Sequence, residues 1–184
     1  WGVLHNQRFG AVRRAILEQL TEKVGETCGI AIPKGSHMVY YDRVQSNWPL
    51  QLNLSIGSNT PAWCTASGKL YLSSLPKQRR DKIVQNLPLQ RYARNTIVDP
   101  TQLEIELIAI RQRKMATDNE EFVDGMVGCA VPIRDHQRRL CGCLFIHAPL
   151  VRKSLDDLIG QAILLHDAAS KLGSSLDQSE NYTG

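Results

Sequence analysis

Two apolar segments near the carboxyl end constrain the fold most strongly. Residues 125–133 and 140–147 are each long enough for a β-strand, and the charged segment Arg134–Arg139 separates them. This arrangement predicts a β-hairpin, and hairpins build antiparallel sheets. A second pair of segments, Thr27–Ile32 and His37–Gln45, lies on either side of a turn and predicts another hairpin. The sheet is therefore predicted to be mainly antiparallel.

Amphipathic helices flank these strands. Apolar residues recur at helical spacing over Phe9–Val24, and Gly25 ends that helix. Further helices are predicted over residues 65–75, over residues 77–87, and from Pro100 onward. Residues 155–176 carry apolar side chains at alternating spacings of three and four, which predicts one long C-terminal helix. No alternating βαβ units occur, so the fold class is α+β, a mainly antiparallel sheet flanked by helices.

Two shorter segments complete the prediction. Leucine and isoleucine alternate with polar residues over residues 50–56, which predicts a half-buried strand, and residues 57–61 are predicted to form a loop. Residues 118–124 are rich in acidic side chains and are expected to form a hydrated surface.

The composition is typical of one globular domain. The chain has 184 residues, of which 42% are hydrophobic, and this length buries a substantial core without metal or disulfide. No apolar run approaches the roughly 20 residues that a membrane span needs. The net charge of +4 is spread along the chain and is too weak to indicate nucleic-acid binding. Five cysteines without framework spacing indicate reduced thiols and a cytoplasmic protein.

Three segments carry motifs that occur together, in order, in one family. Residues 64–72 (CTASGKLYL) fit a pattern A-x-x-G-K-A-x-L-A. Residues 115–135 contain an acidic run, a glycine, and a strand that fits x-A-x-P-[I/V]-x-D. Residues 143–149 (CLFIHAP) fit the end of the following strand. Over nearly its whole length the chain resembles the C-terminal domain of IclR-type bacterial transcription regulators.

The resemblance implies a protein of two parts. In that family an N-terminal winged helix-turn-helix binds DNA, and a C-terminal domain similar to GAF sensors binds a small metabolite and forms dimers or tetramers. Residues 1–184 correspond to the effector-binding domain alone, and no helix-turn-helix is found in them. The chain opens with Trp1 rather than Met, which we interpret as the start of a fragment. The resemblance implies no enzyme activity and no cofactor, and DNA would be bound only through the absent domain.

The start of the helix at residues 65–75 is a candidate anion site. The first backbone N–H groups of a helix lack intrahelical partners, and the positive end of the helix dipole attracts a carboxylate. Small side chains at Ala66, Ser67 and Gly68 would let a ligand approach this backbone. The structural alternative is an ordinary capped helix packed on the sheet.

The resemblance adds residues from the opposite side of the pocket. Asp118 aligns with a family position whose side chain contacts the effector, although a hydrated acid is equally consistent with its acidic surroundings. Phe145 and His147 match pocket positions where several members carry serine. Small-acid binders often carry cysteine at the position of Gly128. These departures favour a larger, flatter carboxylic acid, such as an aromatic one, with Met126 and Trp63 as apolar walls.

Strand periodicity and the remaining cysteines leave alternatives open. Alternate residues of a strand share a face, which predicts that Cys141, Cys143, Phe145 and His147 point the same way. These two cysteines with His147 and His136 could form a zinc site, although i and i+2 side chains diverge and no fourth ligand is evident. A Cys/His-dependent enzyme would need a nucleophile elbow that the sequence lacks. The apolar seam of residues 155–176 could serve a purely oligomerising module, or pack on the sheet of its own chain.

Overall fold

The computed structural model describes residues 7–49 and 54–180, in which helices and strands occur in this order along the chain. They are α1 (Gln7–Val24), β1 (Thr27–Lys34), β2 (His37–Val44), β3 (Asn59–Pro61), α2 (Ala66–Ser74), α3 (Lys77–Asn86), α4 (Pro100–Arg113), β4 (Ala116–Asn119), β5 (Met126–Arg134), β6 (Leu140–Pro149), α5 (Leu155–Gly160) and α6 (Ala162–Glu180).

One six-stranded sheet runs through the molecule in the order β3-β2-β1-β6-β5-β4. Every neighbouring pair is antiparallel. The two predicted hairpins, β1–β2 and β5–β6, meet side by side in its centre, where Thr27 is opposite His147. The predicted α+β fold with an antiparallel sheet flanked by helices is confirmed.

Each face of the sheet is covered by a separate layer of helices. On one face α1, α5 and α6 enclose a core that includes Leu17, Leu144, Leu158 and Leu172. On the other face α2, α3 and α4 enclose a second core that includes Leu72, Leu103 and Phe145. Helix α2, whose first turn forms one wall of the cavity described below, belongs to this second layer.

The C-terminal seam packs on its own sheet. Leu158, Leu165, Leu172 and Leu176 are almost completely buried in the first core, so this seam is not an exposed surface for a partner. The predicted long C-terminal helix is confirmed as α6, but it does not start at residue 155, because α5 ends at Gly160 and α6 begins at Ala162. Glycine has a low helix propensity, which favours a break at this position.

The alternating segment at residues 50–56 does not form the predicted strand in its described part. Residues 50–53 lie outside the described residues, while Leu54 and Ser55 are irregular and Ile56 starts a turn, 59% exposed. The edge strand is instead β3, in the segment predicted as a loop. The short edge strand β4 likewise ends inside the acidic segment, at Asp118 and Asn119. Both strands have four residues or fewer, and strands this short leave little periodic signal.

Two β-bulges shift the alternation of the strands. In β6 the partner of Arg134 is Leu140 whereas the partner of Ile133 is Gly142, which leaves Cys141 as the extra residue. Cys141 therefore packs against the first core while Cys143 belongs to the second, and the prediction that they share a face is wrong. A similar bulge in β2 leaves Tyr41 as the extra residue. Tyr41 packs against the first core, whereas Tyr40 belongs to the second.

None of the helices within residues 7–49 and 54–180 combines the length and apolar character needed to cross a membrane.

Candidate functional site

A cavity lies between the start of α2 and the face of the sheet that carries β5 and β6. The cavity and its mouth together contain about 410 Å³ of space that no protein atom occupies. The centre of a water molecule can reach about 30 Å³ of this space. Of the eight residues predicted for the site, seven line this cavity, and Gly68 does not. The seven are Ala66, Ser67, Asp118, Met126, Gly128, Phe145 and His147.

The first turn of α2 presents unpaired backbone donors to the cavity. The hydroxyl of the N-cap residue Thr65 accepts a hydrogen bond from Gly68 N at 3.1 Å and donates one to Pro61 O at 2.9 Å. Among the described residues, no hydrogen bond uses the N–H groups of Ala66 and Ser67. These two donors therefore remain for an anion at the positive end of the helix.

Gly68 has a structural role instead. A Cβ at this position would lie 2.2 Å from Ala62 O and 2.4 Å from Ala62 Cα. Only glycine permits the loop before α2 to fold this closely over the first helical turn. Its N–H group is already used by the cap, so the prediction of Gly68 as a ligand contact receives no support from the geometry.

The opposite wall includes His147, Gly128 and Asp118, which belong to a row of residues that crosses four strands. Thr27, His147, Gly128 and Asp118 are direct neighbours on β1, β6, β5 and β4. A Cβ on Gly128 would lie 3.6 Å from His147 Cβ and 3.7 Å from Asp118 Cβ. The same Cβ would lie 3.1 Å from Ile146 O, so the space beside Gly128 is tight for any side chain.

Three stacked rings form the apolar part of this wall. The Phe145 ring is stacked on Tyr40, with centroids 4.8 Å apart, and on His147, with centroids 5.6 Å apart. The ring lies over Gly29, where a Cβ would come within 2.5 Å of Phe145 Cζ. The stack gives the cavity a flat aromatic surface.

His147 is held neutral and has an unused ring nitrogen. It is 9% exposed, and burial together with the positive charge of Arg43 lowers its pKa to about 4. Its Nε2 atom is buried and has no hydrogen-bond partner among the described protein atoms. A buried polar atom without a partner is costly, so Nε2 is suited to a polar group of a ligand or to a bound water.

Asp118 faces the same cavity with a perturbed carboxyl group. Burial, with a smaller contribution from the negative charge of Glu121, raises its pKa to about 7. Its Oδ1 accepts a hydrogen bond from Glu121 N at 2.8 Å. Near neutral pH the group therefore exists in both protonation states, and it can either donate to a ligand or accept from one.

A buried ion pair joins the cavity-forming elements. Lys69 Nζ, on α2, lies 2.7 Å from Glu121 Oε1, and the two side chains are 1% and 8% exposed. Glu106 Oε1, on α4, lies 3.5 Å from the same ammonium group. The pair fixes the segment after β4, which supplies Phe122 and Val123 to the cavity, against the helix that supplies the N–H donors.

Several cavity residues were not predicted from the sequence, and one predicted residue lies elsewhere. Tyr40, Phe122 and Val123 line the cavity. Alternation in the strand of residues 37–45 would have marked Tyr40 as inward, whereas Phe122 was obscured by its acidic neighbours. Trp63, predicted as an apolar wall, is not in the lining. It is buried in the second core, and its Nε1 donates to Gln90 O at 3.0 Å.

The zinc and thiol-enzyme alternatives find no support in the geometry. Within residues 7–49 and 54–180, no three histidine, cysteine or acidic side chains are grouped to hold a metal ion. The bulge at Cys141 separates the two cysteines proposed for such a site. Burial raises the pKa of the Cys28, Cys129 and Cys143 thiols to about 12, so these groups stay protonated and unreactive.

Comparison with known proteins identifies the family. Residues 1–174 match the family model described as bacterial transcriptional regulator IclR C-terminal. The chain belongs to this family. The prediction of an IclR-type C-terminal domain is thereby confirmed.

Individual relatives agree with this assignment. The chain is 40% identical over 162 residues to a protein of Cupriavidus necator named probable transcriptional regulator SauR, and the match covers 88% of the chain and 64% of the relative. The crystal structure of the Thermotoga maritima IclR superposes with a TM-score of 0.85 at 25% identity, over 95% of this chain and 70% of that one. The chain thus spans less than two thirds of the SauR sequence.

A third relative has been solved with a ligand. It is a double mutant of the inducer-binding domain of the PobR transcription factor from Acinetobacter, in complex with 3-hydroxybenzoic acid. It superposes with a TM-score of 0.80 at 27% identity, over 88% of this chain and 95% of that domain.

Proposed function

We propose that this IclR-type domain senses a small carboxylic acid with a flat, aromatic body, bound in the cavity between α2 and the sheet. The observation that carries the proposal is the pairing of two opposite walls. One wall offers the unpaired N–H groups of Ala66 and Ser67, and the other offers an aromatic stack with the unpartnered Nε2 of His147.

The carboxylate is assigned to the helix start. The positive end of α2 and its two free donors suit an anion better than any other part of the lining, because the sheet wall holds a neutral imidazole and an acid. The body of the ligand lies against Phe145 and Met126. A second polar group, such as a phenolic hydroxyl, bonds to His147 Nε2 or to Asp118.

The size of the cavity limits how the ligand enters. The water-accessible part, about 30 Å³, holds about two waters. A ring therefore requires side chains that line the cavity to move outward. The complex of the PobR domain with 3-hydroxybenzoic acid supports an aromatic acid as the ligand class.

The parent protein is proposed to be a cytoplasmic regulator that binds DNA through a winged helix-turn-helix outside residues 1–184. The domain described here would control that binding and assemble into dimers or tetramers. The 64% coverage of SauR supports a further domain in the parent. We expect the isolated 184-residue chain not to bind an operator specifically, because no helix-turn-helix motif is found in its sequence.

The test is a thermal-shift screen of aromatic and aliphatic carboxylic acids, followed by calorimetry with the best binder. A ligand that binds only the native state raises the melting temperature. Ser67→Glu should abolish binding, because the added carboxylate fills the site and repels the ligand. Phe145→Ser should weaken an aromatic binder, since burying a ring is worth roughly 1.5–3 kcal/mol.

Ser170→Glu is the matched control, because it adds the same charge at an exposed position of α6 outside the cavity. It should bind the ligand as the parent chain does. If folded Ser67→Glu and Phe145→Ser proteins both bind with unchanged affinity, the ligand occupies another site and the proposal is wrong.

A further inference from the structure

A second concavity, lined by basic residues, lies at the other end of α2. The centre of a water molecule can reach about 370 Å³ of it, and it is separate from the cavity described above. Its walls carry five basic side chains from four parts of the chain. These are Arg111, Lys114, Arg134, Arg138 and His166.

No acidic side chain balances this charge. Within residues 7–49 and 54–180, the lining contains no carboxylate, and none of the five basic side chains forms an ion pair. The acid on the β5–β6 turn, Asp135, is paired with Arg139 at 2.7 Å. Four permanent positive charges therefore face one hollow, and their mutual repulsion favours binding of an anion.

The positions of these groups are partly fixed. Arg134 Nη1 donates to Arg138 O at 3.0 Å, and Arg111 Nη1 donates to Leu75 O at 3.4 Å. Lys114 is the C-cap residue of α4 and has a left-handed backbone conformation. The pKa of His166 is lowered mainly by burial and also by the positive charge of Lys114, so the two residues are close to each other. The basic groups are thus held around the hollow by separate elements.

The floor of the hollow is apolar. Leu70, Ile110 and Pro132 contribute to it, and the first two are buried. Its volume falls within the range of small-molecule sites, roughly 300–1,000 Å³. A bounded hollow with an apolar floor fits a small molecule better than it fits an extended nucleic-acid backbone.

We propose that this basic concavity binds a small molecule carrying a phosphate group with at least two negative charges. Three guanidinium groups can donate paired hydrogen bonds to phosphate oxygens, which matches a tetrahedral, multiply charged anion. A single carboxylate would leave most of the positive charge uncompensated. Leu70 and Ser73 belong to the same helix whose first turn lines the effector cavity, so a ligand here would contact an element shared by both sites.

The experiment uses inorganic pyrophosphate as the probe, in calorimetric titrations of the 184-residue chain at constant pH and low ionic strength. We expect binding of one pyrophosphate per chain, weakened at least tenfold in the double variant Arg134→Gln/Arg138→Gln. The single variant Lys114→Gln should weaken it as well, and it removes a side chain that makes no hydrogen bond among the described residues. Acetate at the same concentration should not compete.

The matched control removes two charges from another concavity of about 380 Å³, by Arg79→Gln/Lys82→Gln. It should change pyrophosphate affinity less than twofold. The proposal is overturned if the parent chain shows no pyrophosphate binding at millimolar concentration, or if the control loses as much affinity as the double variant. It is also overturned if a random-sequence DNA duplex binds here in preference to pyrophosphate.

Discussion

Asp118 carries its charge in surroundings that disfavour it. Burial raises its pKa to about 7, whereas an unfolded aspartate has a pKa near 4, roughly the model-peptide value. Between these pH values the folded protein binds a proton that the unfolded chain does not. This group therefore makes the free energy of unfolding fall as the pH rises from about 4 to about 7.

Replacing Asp118 by Asn should remove this loss of stability at high pH. The amide oxygen can still accept from Glu121 N, but the side chain carries no charge to desolvate. At pH 8 we expect Asp118→Asn to be more stable than the parent chain by up to about 4 kcal/mol, since the pKa shift is about three units and each unit corresponds to roughly 1.4 kcal/mol. Urea unfolding at pH 8 and pH 4 measures this. A stability change of the same size at both pH values would contradict the explanation.

The same carboxyl group should make ligand binding depend on pH. An anionic ligand in the cavity disfavours the charged form of Asp118, so binding takes up a proton above pH 7. The affinity of the acid found in the screen should fall up to about tenfold for each pH unit above 7. In Asp118→Asn this dependence should disappear. Calorimetry at pH 7, 8 and 9 makes the comparison, and an unchanged pH profile in the variant would remove Asp118 from the site.

Lys69 should be essential to stability. Lys69→Met leaves the carboxylate of Glu121 buried without its cation, and breaking a buried pair in this way costs about 3–5 kcal/mol. Lys77→Met is the control, because the Lys77–Asp81 pair is exposed and such pairs contribute about 0.5 kcal/mol or less. Urea unfolding compares the two variants. Similar losses of unfolding free energy in the two variants would show that burial does not determine how much the Lys69–Glu121 pair stabilises the fold.

Among the helices, α2 combines a cap, a close backbone contact and the proposed anion site within one turn. The contact predicts that Gly68→Ala is strongly destabilising, by about 3 kcal/mol, because its Cβ overlaps the backbone of Ala62. Gly160→Ala, at the end of α5, has no atom within 4 Å of the added Cβ and should be neutral or slightly stabilising. Thermal unfolding distinguishes them, and a well-tolerated Gly68→Ala would argue against the close packing.

Strands show where sequence periodicity stops being informative. The alternation over residues 140–147 placed Phe145 and His147 on the cavity face, which agrees with the lining. It failed for Cys141 because the bulge inserts one residue, and a bulge depends on pairing with β5 that the sequence of β6 does not contain. The formation of an edge strand such as β3 likewise depends more on pairing with the neighbouring strand than on the residues of the edge strand itself.

For the molecule as a whole, local chemistry was predictable and long-range assembly was less so. The helix start at Ala66 and Ser67 follows from capping rules that act within four residues. The stack of Tyr40 on Phe145 joins residues about 100 positions apart, and only the sheet order brings them together. Asp118 was identified through the family motif, whereas its pKa depends on Glu121 and on burial by several elements.

Assembly is a further property of the whole molecule. Soluble oligomers mostly form by closed symmetry, and the IclR family implies paired effector domains. We expect the 184-residue chain to be a dimer or tetramer at high micromolar concentration. Light scattering coupled to size-exclusion chromatography measures the mass directly. A monomer at that concentration would refute this expectation, and dilution would show whether a larger species is in equilibrium with monomers.

The central position of β1 and β6 affects how the chain folds during synthesis. Thr27 pairs with His147, so the two halves of the sheet cannot join until about 120 further residues have left the ribosome. Contacts this distant in sequence are slow to form and leave strand edges exposed in the meantime. We expect the hairpin β1–β2 to form before β6 covers the free edge of β1. We therefore expect nascent chains stalled before residue 140 to require chaperones, and the ligand cavity to appear only at the end of folding.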